Sequence, residues 1–471
     1  MIIISRLTYE LYLFQLENYN LSRYVKLALR TLFRVRKERR QELRWTLKAK
    51  LIMGIALAAY VVFALGLARG WWILALLALG WIIFPLFLIF AAIVLAVPEF
   101  FARRYIISRA KRKLAQFPQL KVIGIAGSYG KTTVKEMIAG ILSERYSVLK
   151  TPETVNTPLG IADLVMRELD EKTQIFVVEM GEHTPGDIRA ICNMVHPHIG
   201  VITGINEAHL ERMGNIENTV HTIFELAEGA SDELILNVDD ELVFKNYNQW
   251  IDNKKFVGFY SAAGANPCEY FPRSVVFRGD GSGYSFELEK NQKIAGRFET
   301  PLLGQYSVGV VVAGILAGTA FGMDMKTISD AVKKVKPPKH RLELVPTANG
   351  VIVIDDGYNG NPAGAAEAVR VLSKFEGRRK IYVTPGLVEM GSAKARVHEA
   401  LGRELASVAD VIVLIKNSVT DDILKGLGGG GFKSENIKIF NTAAEAHGAI
   451  GEIVKPGDVV LFQNDWPDNY L

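Results

Sequence analysis

Cysteine is nearly absent from this chain: two in 471 residues, Cys192 and Cys268. Two thiols so far apart in sequence make neither a disulfide framework nor a zinc-ligand cluster, and their scarcity fits a reducing compartment. Acid is scarce at the front. Residues 1–115 hold 19 Lys and Arg against 5 Asp and Glu, a net of +14, while the whole chain carries +5. The remainder is therefore acidic on balance, so the positive charge does not belong to a nucleic-acid-binding body, and no nucleic-acid partner is expected. Charge of either sign is missing from two runs, Leu51 to Ala68 and Trp71 to Val97, with Arg69-Gly70 between them. Internal repeats and low-complexity tracts are lacking as well.

The uncharged runs set the expectation for the front segment. Eighteen helical residues span about 27 Å, close to a bilayer core of roughly 30 Å. The second run is longer and can tilt, with Pro85 as a possible kink. Trp71, Trp72, Phe100 and Phe101 stand near its ends, where aromatic side chains favour the membrane interface. Basic clusters flank the pair, "RVRKERRQELRWTLKAK" before and "RRYIISRAKRK" after. The positive-inside rule puts both flanks in the cytoplasm and the Arg69-Gly70 turn outside. The spacing thus predicts a basic cytoplasmic or interfacial helical segment (1–50), a two-helix transmembrane hairpin (51–97) and a basic linker (98–116). A buried soluble hairpin is the alternative. A cleaved signal peptide does not fit an apolar run that starts fifty residues in. Residues 8–30 mix aromatic and basic residues at helical spacing, as an interfacial or a plain cytosolic helix would.

From residue 117 the pattern changes. "VIGIAG", "IFVVEMG", "IGVITGI", "ELILNVDD" and "KFVGFYSA" read as strands, with helices starting near Thr132, Thr184 and Ile216. Such alternation means an α/β unit with a parallel sheet covered by helices. Residues 273–302 instead show alternating stretches cut by turn residues, which predicts antiparallel hairpins. The double proline of "KKVKPPKHRLEL", residues 333–344, marks a linker between a central domain (117–338) and a second, Rossmann-like α/β domain (339–471). In that second unit "GVIVIDD", "RKIYVTPG", "DVIVLI", "NIKIF" and "DVVLFQ" alternate with helices, two of them from Asn361 and Ser392, and "GLGGGGF", residues 426–432, reads as a flexible loop.

"GSYGKTT", residues 127–133, lies between an apolar strand and a helix. The strict P-loop pattern fails, because Ile125 stands where a glycine is wanted. The chemistry survives: Gly127 and Gly130 allow a tight turn and close approach of phosphate, with Ser128 between them and helix-start amides aimed at the anion. Lys131 supplies a point charge to the outer phosphates, and the hydroxyl of Thr132, followed by Thr133, suits Mg²⁺. Glu179 ends the strand "IFVVE", at the edge where a parallel sheet binds ligands, and is expected to hold Mg²⁺ directly or through water. His209, in "NEAHLERMG", follows the next strand. Asp355 and Asp356 end "IDD", where one of them can hold a ribose hydroxyl.

Taken in order, these motifs resemble those of the Mur ligase family, with most likeness to its branch that adds D-alanyl-D-alanine. The family's "G-S/T-x-G-K-T" is "GSYGKTT" here, its "VVE-M/L-G" is "VVEMG", its "AHLE-x-x-G" is "AHLERMG", and its "DD-x-Y-N-x-N-P" is "DDGYNGNP", followed by "LVEMGSAKARVHEALG". The likeness spans roughly residues 120–465. It implies an ATP-dependent ligase that joins a carboxylate to an amine through an acyl phosphate, with ATP and Mg²⁺ as cofactors. It implies that Gly127, Ser128, Gly130, Lys131, Thr132 and Thr133 grip the ATP phosphates, and that Thr132, Glu179 and His209 ligate magnesium. It implies further that Asn156 and Thr157 lie on a substrate loop, that Arg341 reaches ATP from the hinge, and that Asp355 or Asp356 meets the ribose. Expected partners are a muropeptide or lipid-linked cell-wall precursor, an amino acid or dipeptide, and membrane lipid. The expected location is the cytoplasmic membrane, multi-pass, with both termini and the ligase domains on the cytoplasmic side.

Three departures stand against the family pattern. Ile223 occupies the place of the carbamate-forming lysine. Ser307 and Val310 replace the two asparagines that contact adenine. "QNDWPDNYL" stands where the family has "K-G-S-R". The front also lacks a recognisable UDP-binding pocket. A catalytically degenerate, nucleotide-binding scaffold at the membrane is the alternative these departures raise. Neither an "LSGGQ"-like signature nor an "NKxD" motif accompanies the phosphate loop, which argues against a transport ATPase or a GTPase.

Overall fold

A computed structural model of the chain describes residues 2–463 except 18, 32–42, 68–71, 153–154, 207–212, 252–255, 265–266, 280, 346, 348–349, 359, 388–389 and 391–392. Two compact units result, Met1–Ile106 and Ile107–Leu471. In the first, α1 (Ile2–Leu16) and α2 (Leu21–Thr31) precede two long apolar helices, α3 (Leu47–Leu67) and α4 (Trp72–Leu114). The sequence suggested one helix over residues 8–30, interfacial or plain cytosolic. Instead α1 is separate and carries Leu11, Leu13 and Phe14 into one cluster with Ile52 and Ala56 of α3 and Phe84 and Leu88 of α4. Two stretches, Leu47–Gly66 and Ile83–Leu114, are long and apolar enough to cross a bilayer. The basic stretch expected as a linker after residue 97 is helical, because α4 continues past Pro98 to Leu114.

The second unit begins with a six-stranded, wholly parallel sheet. Its strands are β1 (Lys121–Ala126), β2 (Val148–Lys150), β3 (Ile175–Glu179), β4 (Ile199–Ile202), β5 (Glu233–Asn237) and β6 (Phe256–Tyr260), in the spatial order β2-β3-β1-β4-β5-β6. Both faces are covered. Ile123 and Ile125 of β1 point into one apolar layer, Val122 and Ala126 into the other. A strand buried on both faces must be apolar at successive positions, which is why these runs read as continuous rather than alternating. The crossover helices are α5 (Lys131–Leu142), α6 (Pro158–Glu168), α7 (Asp187–Val195) and α8 (Ile216–Gly229), followed by the short α9 (Glu241–Asn246). Helix α7 starts three residues later than Thr184, because Asp187 accepts the amides of His183 and Thr184 and closes a turn ahead of it.

The expected antiparallel stretch forms a separate sheet of β7 (Phe271–Phe277), β8 (Tyr284–Lys290) and β9 (Lys293–Thr300). Helices α10 (Tyr306–Ala320) and α11 (Met325–Val332) follow. The last domain holds a sheet ordered β10-β11-β15-β12-β13-β14: β10 (Glu343–Val345), β11 (Ile352–Asp356), β12 (Lys380–Thr384), β13 (Val411–Ile415), β14 (Ile437–Phe440) and β15 (Val459–Gln463). Only β10, hidden in the linker sequence, is antiparallel to its neighbour. The helices are α12 (Pro362–Ser373), α13 (Lys394–Val408), α14 (Thr420–Gly429) and α15 (Ala443–Ile453).

The glycine run expected as a loop is largely helix. Gly426 to Gly429 belong to α14, and the reason is packing. A Cβ at Gly426 would press into the backbone carbonyl of Glu399, and one at Gly402 into that of Ile423. Glycine lets α13 and α14 approach backbone to backbone, and this outweighs its poor intrinsic helix propensity. A pair of substitutions tests this. Gly426→Ala, forced against backbone, is expected to destabilise the fold by about 1–3 kcal/mol in chemical denaturation. Gly428→Ala, on the same helix with nothing within 4 Å of its Cβ, is expected to be neutral or to stabilise by up to ~1 kcal/mol. The reverse order would refute the packing account.

Candidate active site

The carboxyl end of β1 faces the crevice where the chain reverses its direction of winding, β3 lying on one side and β4 on the other, the usual ligand position of open α/β sheets. Here Gly127 has φ 143° and Gly130 φ 78°, backbone that L-residues with a Cβ rarely adopt. A Cβ on Gly127 would collide with the Thr203 hydroxyl and approach the Gly204 backbone. Gly130 is the N-cap of α5 and offers no side-chain cap, and no acid lies in the first turn. The opening amides of α5 are thus left for an anion. The Ser128 amide donates to the Gly204 carbonyl at 2.7 Å. Its hydroxyl is buried and meets no partner among the described residues. Shape, orphan donors and a buried hydroxyl all fit a phosphate group.

Two lysines one helical turn apart carry the positive charge. Lys131 Nζ donates to the Gly127 carbonyl and lies 2.8 Å from Glu182 Oε2. Lys135, wholly buried, lies 3.1 Å from Glu179 Oε2. Both carboxylates are enclosed, Glu179 being 3% and Glu182 2% exposed. Glu179 keeps its other oxygen for weaker company: Asn156 Nδ2 stands 3.5 Å from Oε1. The Glu179 amide donates to Thr151 Oγ1, and the Asn156 carbonyl accepts the Gly181 amide at 2.8 Å. Asn156 and Glu179 are therefore brought together. Thr157 is not free for a ligand in the same way, since its hydroxyl caps α6 by accepting the Gly160 amide. Thr132 and Thr133 are buried on α5. The hydroxyl of Thr132 and the carboxylate of Glu179 are hard oxygen donors of the kind magnesium takes. His209 lies outside the described residues.

Tyr129 fixes the loop from outside. Its hydroxyl donates to Asp240 Oδ2 at 2.7 Å, and the same carboxylate accepts the amides of Ile205 and Val243 at 2.9 Å. Burial and the Asp240 charge raise the phenol's pKa, so it remains a donor. Its ring fills the space over Gly204 that a side chain there would need. Thr203 completes the tie by donating to the Tyr129 carbonyl.

The linker side supplies Arg341, whose guanidinium lies 5.3 Å from the centre of the Tyr358 ring. Of the two aspartates left open by the sequence, Asp356 is fully enclosed and takes the Leu342 amide at 3.1 Å. Asp355 is the accessible one, 2.7 Å from His340 Nδ1. Ser307 is completely buried, its hydroxyl without a partner among the described residues, and Val310 is part of the apolar core. Ile223 is likewise in the core on α8, so that position presents no ligand.

Sequence reading missed Lys135, Glu182, Tyr129 and Asp240. Their signals were faint but physical. Lys135 is a charge in an apolar helix four residues after Lys131, Glu182 follows Glu179 by three, and Asp240 comes just after a parallel strand's carboxyl end. A perturbed group elsewhere is not part of this site: Glu233, raised to about 7 by burial and by Glu269 and Asp232, opens β5 at the opposite edge.

The histidine of "LVEMGSAKARVHEALG" has a structural post. His398 is buried, accepts the Leu387 amide on Nε2 at 2.8 Å and donates from Nδ1 to the Lys394 carbonyl at 2.7 Å. That pairing requires neutral imidazole, and burial lowers its pKa below the usual value. A lowered folded pKa means the unfolded chain binds more protons in acid. His398 therefore contributes stability that is complete above about pH 6.5 and declines as pH falls. The melting temperature is expected to drop between pH 7 and 5, and to drop less in His398→Gln. Equal pH dependence in the two proteins would contradict this role.

Similarity to known proteins follows the same division. The Mur ligase middle domain matches residues 125–318, and the Mur ligase glutamate ligase domain matches residues 340–463. The chain is similar to the UDP-N-acetylmuramoyl-tripeptide–D-alanyl-D-alanine ligases of Bacillus subtilis, 26% identical over 345 residues (73% of this chain, 72% of the relative), and Mycobacterium leprae, 28% identical over 368 residues (73% and 71%). Among solved structures, MurF of Acinetobacter baumannii superposes with a TM-score of 0.67 at 26% identity over 77% of each chain. A MurF ligase of Thermotoga maritima in complex with ADP shares the fold, with a TM-score of 0.65 at 23% identity over 77% of this chain and 80% of that one. Two successive domains of one family, divided at the proline linker and together spanning most of the sequence, settle the relationship: the chain belongs to the Mur ligase family.

Proposed function

We propose that this chain is an ATP-dependent ligase of peptidoglycan-precursor synthesis that joins a substrate carboxylate to an amine with release of ADP and phosphate. The observation that carries the reading is the phosphate-shaped turn Gly127–Thr133 with Lys131 at its end and Glu179 beside it. Gly127, Ser128, Gly130 and the α5 amides hold the terminal phosphates, and Lys131 balances their charge. Thr132 and Glu179, with His209 on the motif, hold magnesium, which when bound neutralises charge on the transferring phosphoryl group. Arg341 and Asp355 act on the nucleotide from the second domain.

The substrate carboxylate attacks the γ-phosphate and forms an acyl phosphate and ADP. The amine then displaces phosphate to give the amide. Acyl phosphates hydrolyse readily, so closing the two α/β domains over the intermediate protects it. The Asn156 loop, tied to the end of β3, lies where the carboxylate substrate enters. The relatives' names point to a muramoyl-peptide carboxylate and to D-alanyl-D-alanine as the amine. The apolar α3 and α4 support the further reading that the chain is anchored in the cytoplasmic membrane, with its catalytic domains on the cytoplasmic side, and meets a lipid-linked acceptor there. The second reading, a nucleotide-binding scaffold without turnover, draws on Ile223 and Val310, both sealed in the core.

ADP release is expected only when a muramoyl-peptide carboxylate and an amine are both present. It should fall at least 100-fold in Lys131→Ala, measured by a coupled assay across lipid-linked and UDP-linked acceptors. ATP binding without turnover on any acceptor would favour the scaffold. Anchoring is tested separately: the full chain is expected to stay with membranes through an alkaline carbonate wash, and release into the supernatant would refute the hairpin.

A further inference from the structure

We propose that the outward face of α4 beyond its apolar run, centred on Arg109 and Arg112, binds the phosphate headgroups of anionic phospholipids, a role that rests on α3 and α4 being a membrane anchor. Between residues 100 and 116 the chain carries Arg103, Arg104, Arg109, Lys111, Arg112 and Lys113 and no acid. Two of these cations are engaged within the protein, Arg103 with Glu99 at 2.6 Å and Lys113 with the Met166 carbonyl at 3.0 Å. Arg104, Arg109, Lys111 and Arg112 are exposed. Arg109 stands three residues from Arg112 and four from Lys113, spacings at which like charges weaken a helix. The cluster therefore contributes nothing to local stability, and a polyanion outside the chain would relieve its repulsion.

The two sides of this helix differ in kind. Ala110 is wholly buried in the same apolar layer as Ile161 and Val165 of α6, and Ile107 and Leu114 pack against that layer. At 3.6 residues per turn, positions 107, 110 and 114 share one side of α4, and positions 101, 105, 109 and 112 share the opposite one. The second side carries Phe101 and Tyr105, 64% and 60% exposed, and then Arg109 and Arg112. An apolar run, an aromatic pair and a pair of cations follow one another as hydrocarbon, interface and phosphate do on leaving a bilayer. A nucleic acid would match the cations, but not their continuity with an apolar run on a chain whose remainder is acidic. Length adds a condition. At 1.5 Å per residue, an upright helix would carry Arg112 about 22 Å beyond Val97, past the roughly 8–10 Å over which surface charge is felt. The face thus engages lipid when the helix leans along the surface. Pro98, inside α4 where the apolar run ends, takes one hydrogen bond out of the helical ladder and provides the place to bend.

A fluorophore on the same face tests this. Ser108 is exposed on α4, whereas Cys192 and Cys268 are buried, so Ser108→Cys takes an environment-sensitive label selectively. The labelled full chain is reconstituted into vesicles of phosphatidylcholine alone or with about 30% phosphatidylglycerol, and quenching by a nitroxide-bearing lipid is measured. Quenching is expected to be about tenfold stronger with phosphatidylglycerol and to be lost at high salt. It is expected to fall to the neutral-lipid level in Arg109→Gln/Arg112→Gln and to be largely kept in Arg109→Lys/Arg112→Lys. Equal quenching in the two kinds of vesicle overturns the proposal, as does a response to phosphatidylglycerol that survives both Gln substitutions. A blue shift on adding single-stranded RNA to neutral vesicles overturns it as well, by assigning the face to nucleic acid. A chain that floats with neither kind of vesicle loses the anchoring reading and this role together. One that floats with both and ignores lipid charge loses this role alone.

Discussion

The site is organised by two ion pairs that cross from one helix to one strand end. Lys131 and Lys135 project from successive turns of α5, and Glu182 and Glu179 meet them from β3 and the loop after it. All four charges are largely withdrawn from water. Breaking one such pair by removing a partner typically costs about 3–5 kcal/mol. That cost makes the relative position of α5 and β3 stiff, and the glycine turn between β1 and α5 is held in place as a consequence. The two pairs differ in what they face. Lys135–Glu179 lies deeper, with Asn156 Nδ2 3.5 Å from the other Glu179 oxygen and Glu136 Oε1 3.8 Å from the Lys135 ammonium, whereas Lys131–Glu182 stands at the mouth of the turn, where an incoming anion competes for the ammonium.

Around this core the chain uses small contacts to join distant segments. Asp240 gathers the Tyr129 hydroxyl and two backbone amides, so the phosphate turn is fastened to the loops after β4 and β5. Across the linker, Glu367 of α12 accepts the Gln305 amide at the start of α10, and the Phe277 and Phe375 rings meet edge to face at 5.4 Å between centres. A charge-assisted hydrogen bond and one aromatic contact are modest compared with the apolar layers inside each domain. A ligase that must close over an intermediate and reopen is served by an interface of that strength.

The departures from the family pattern have different structural meanings. Ile223 is packed between apolar neighbours, so a charge at that place would be buried in the core of the helix layer. Val310 is equally enclosed. Ser307 differs, since its hydroxyl is buried without a partner among the described residues. The first two are integrated into packing, and the third retains polar capacity that the packing does not use.

The sequence alone determined five of the six strands of the first sheet and the crossover helices near Thr132, Thr184 and Ile216, because a strand covered on both faces must be apolar throughout and a crossover helix must be amphipathic, whereas the short β2, α6 and β10 were not read from it. It also determined the glycine-lysine turn and the acid at the end of β3, since backbone with positive φ and a carboxylate at a strand's carboxyl edge are local requirements. Tertiary structure decided the rest. Gly426 reads as part of a loop until the backbone of α13 is brought against it. His398 has no role legible in the sequence until its two ring nitrogens are both found on backbone groups. The partners of Lys131 and Lys135 lie 51 and 44 residues away, and no periodicity reports such a pairing. Which buried charge meets which is fixed only when α5 and β3 are packed together.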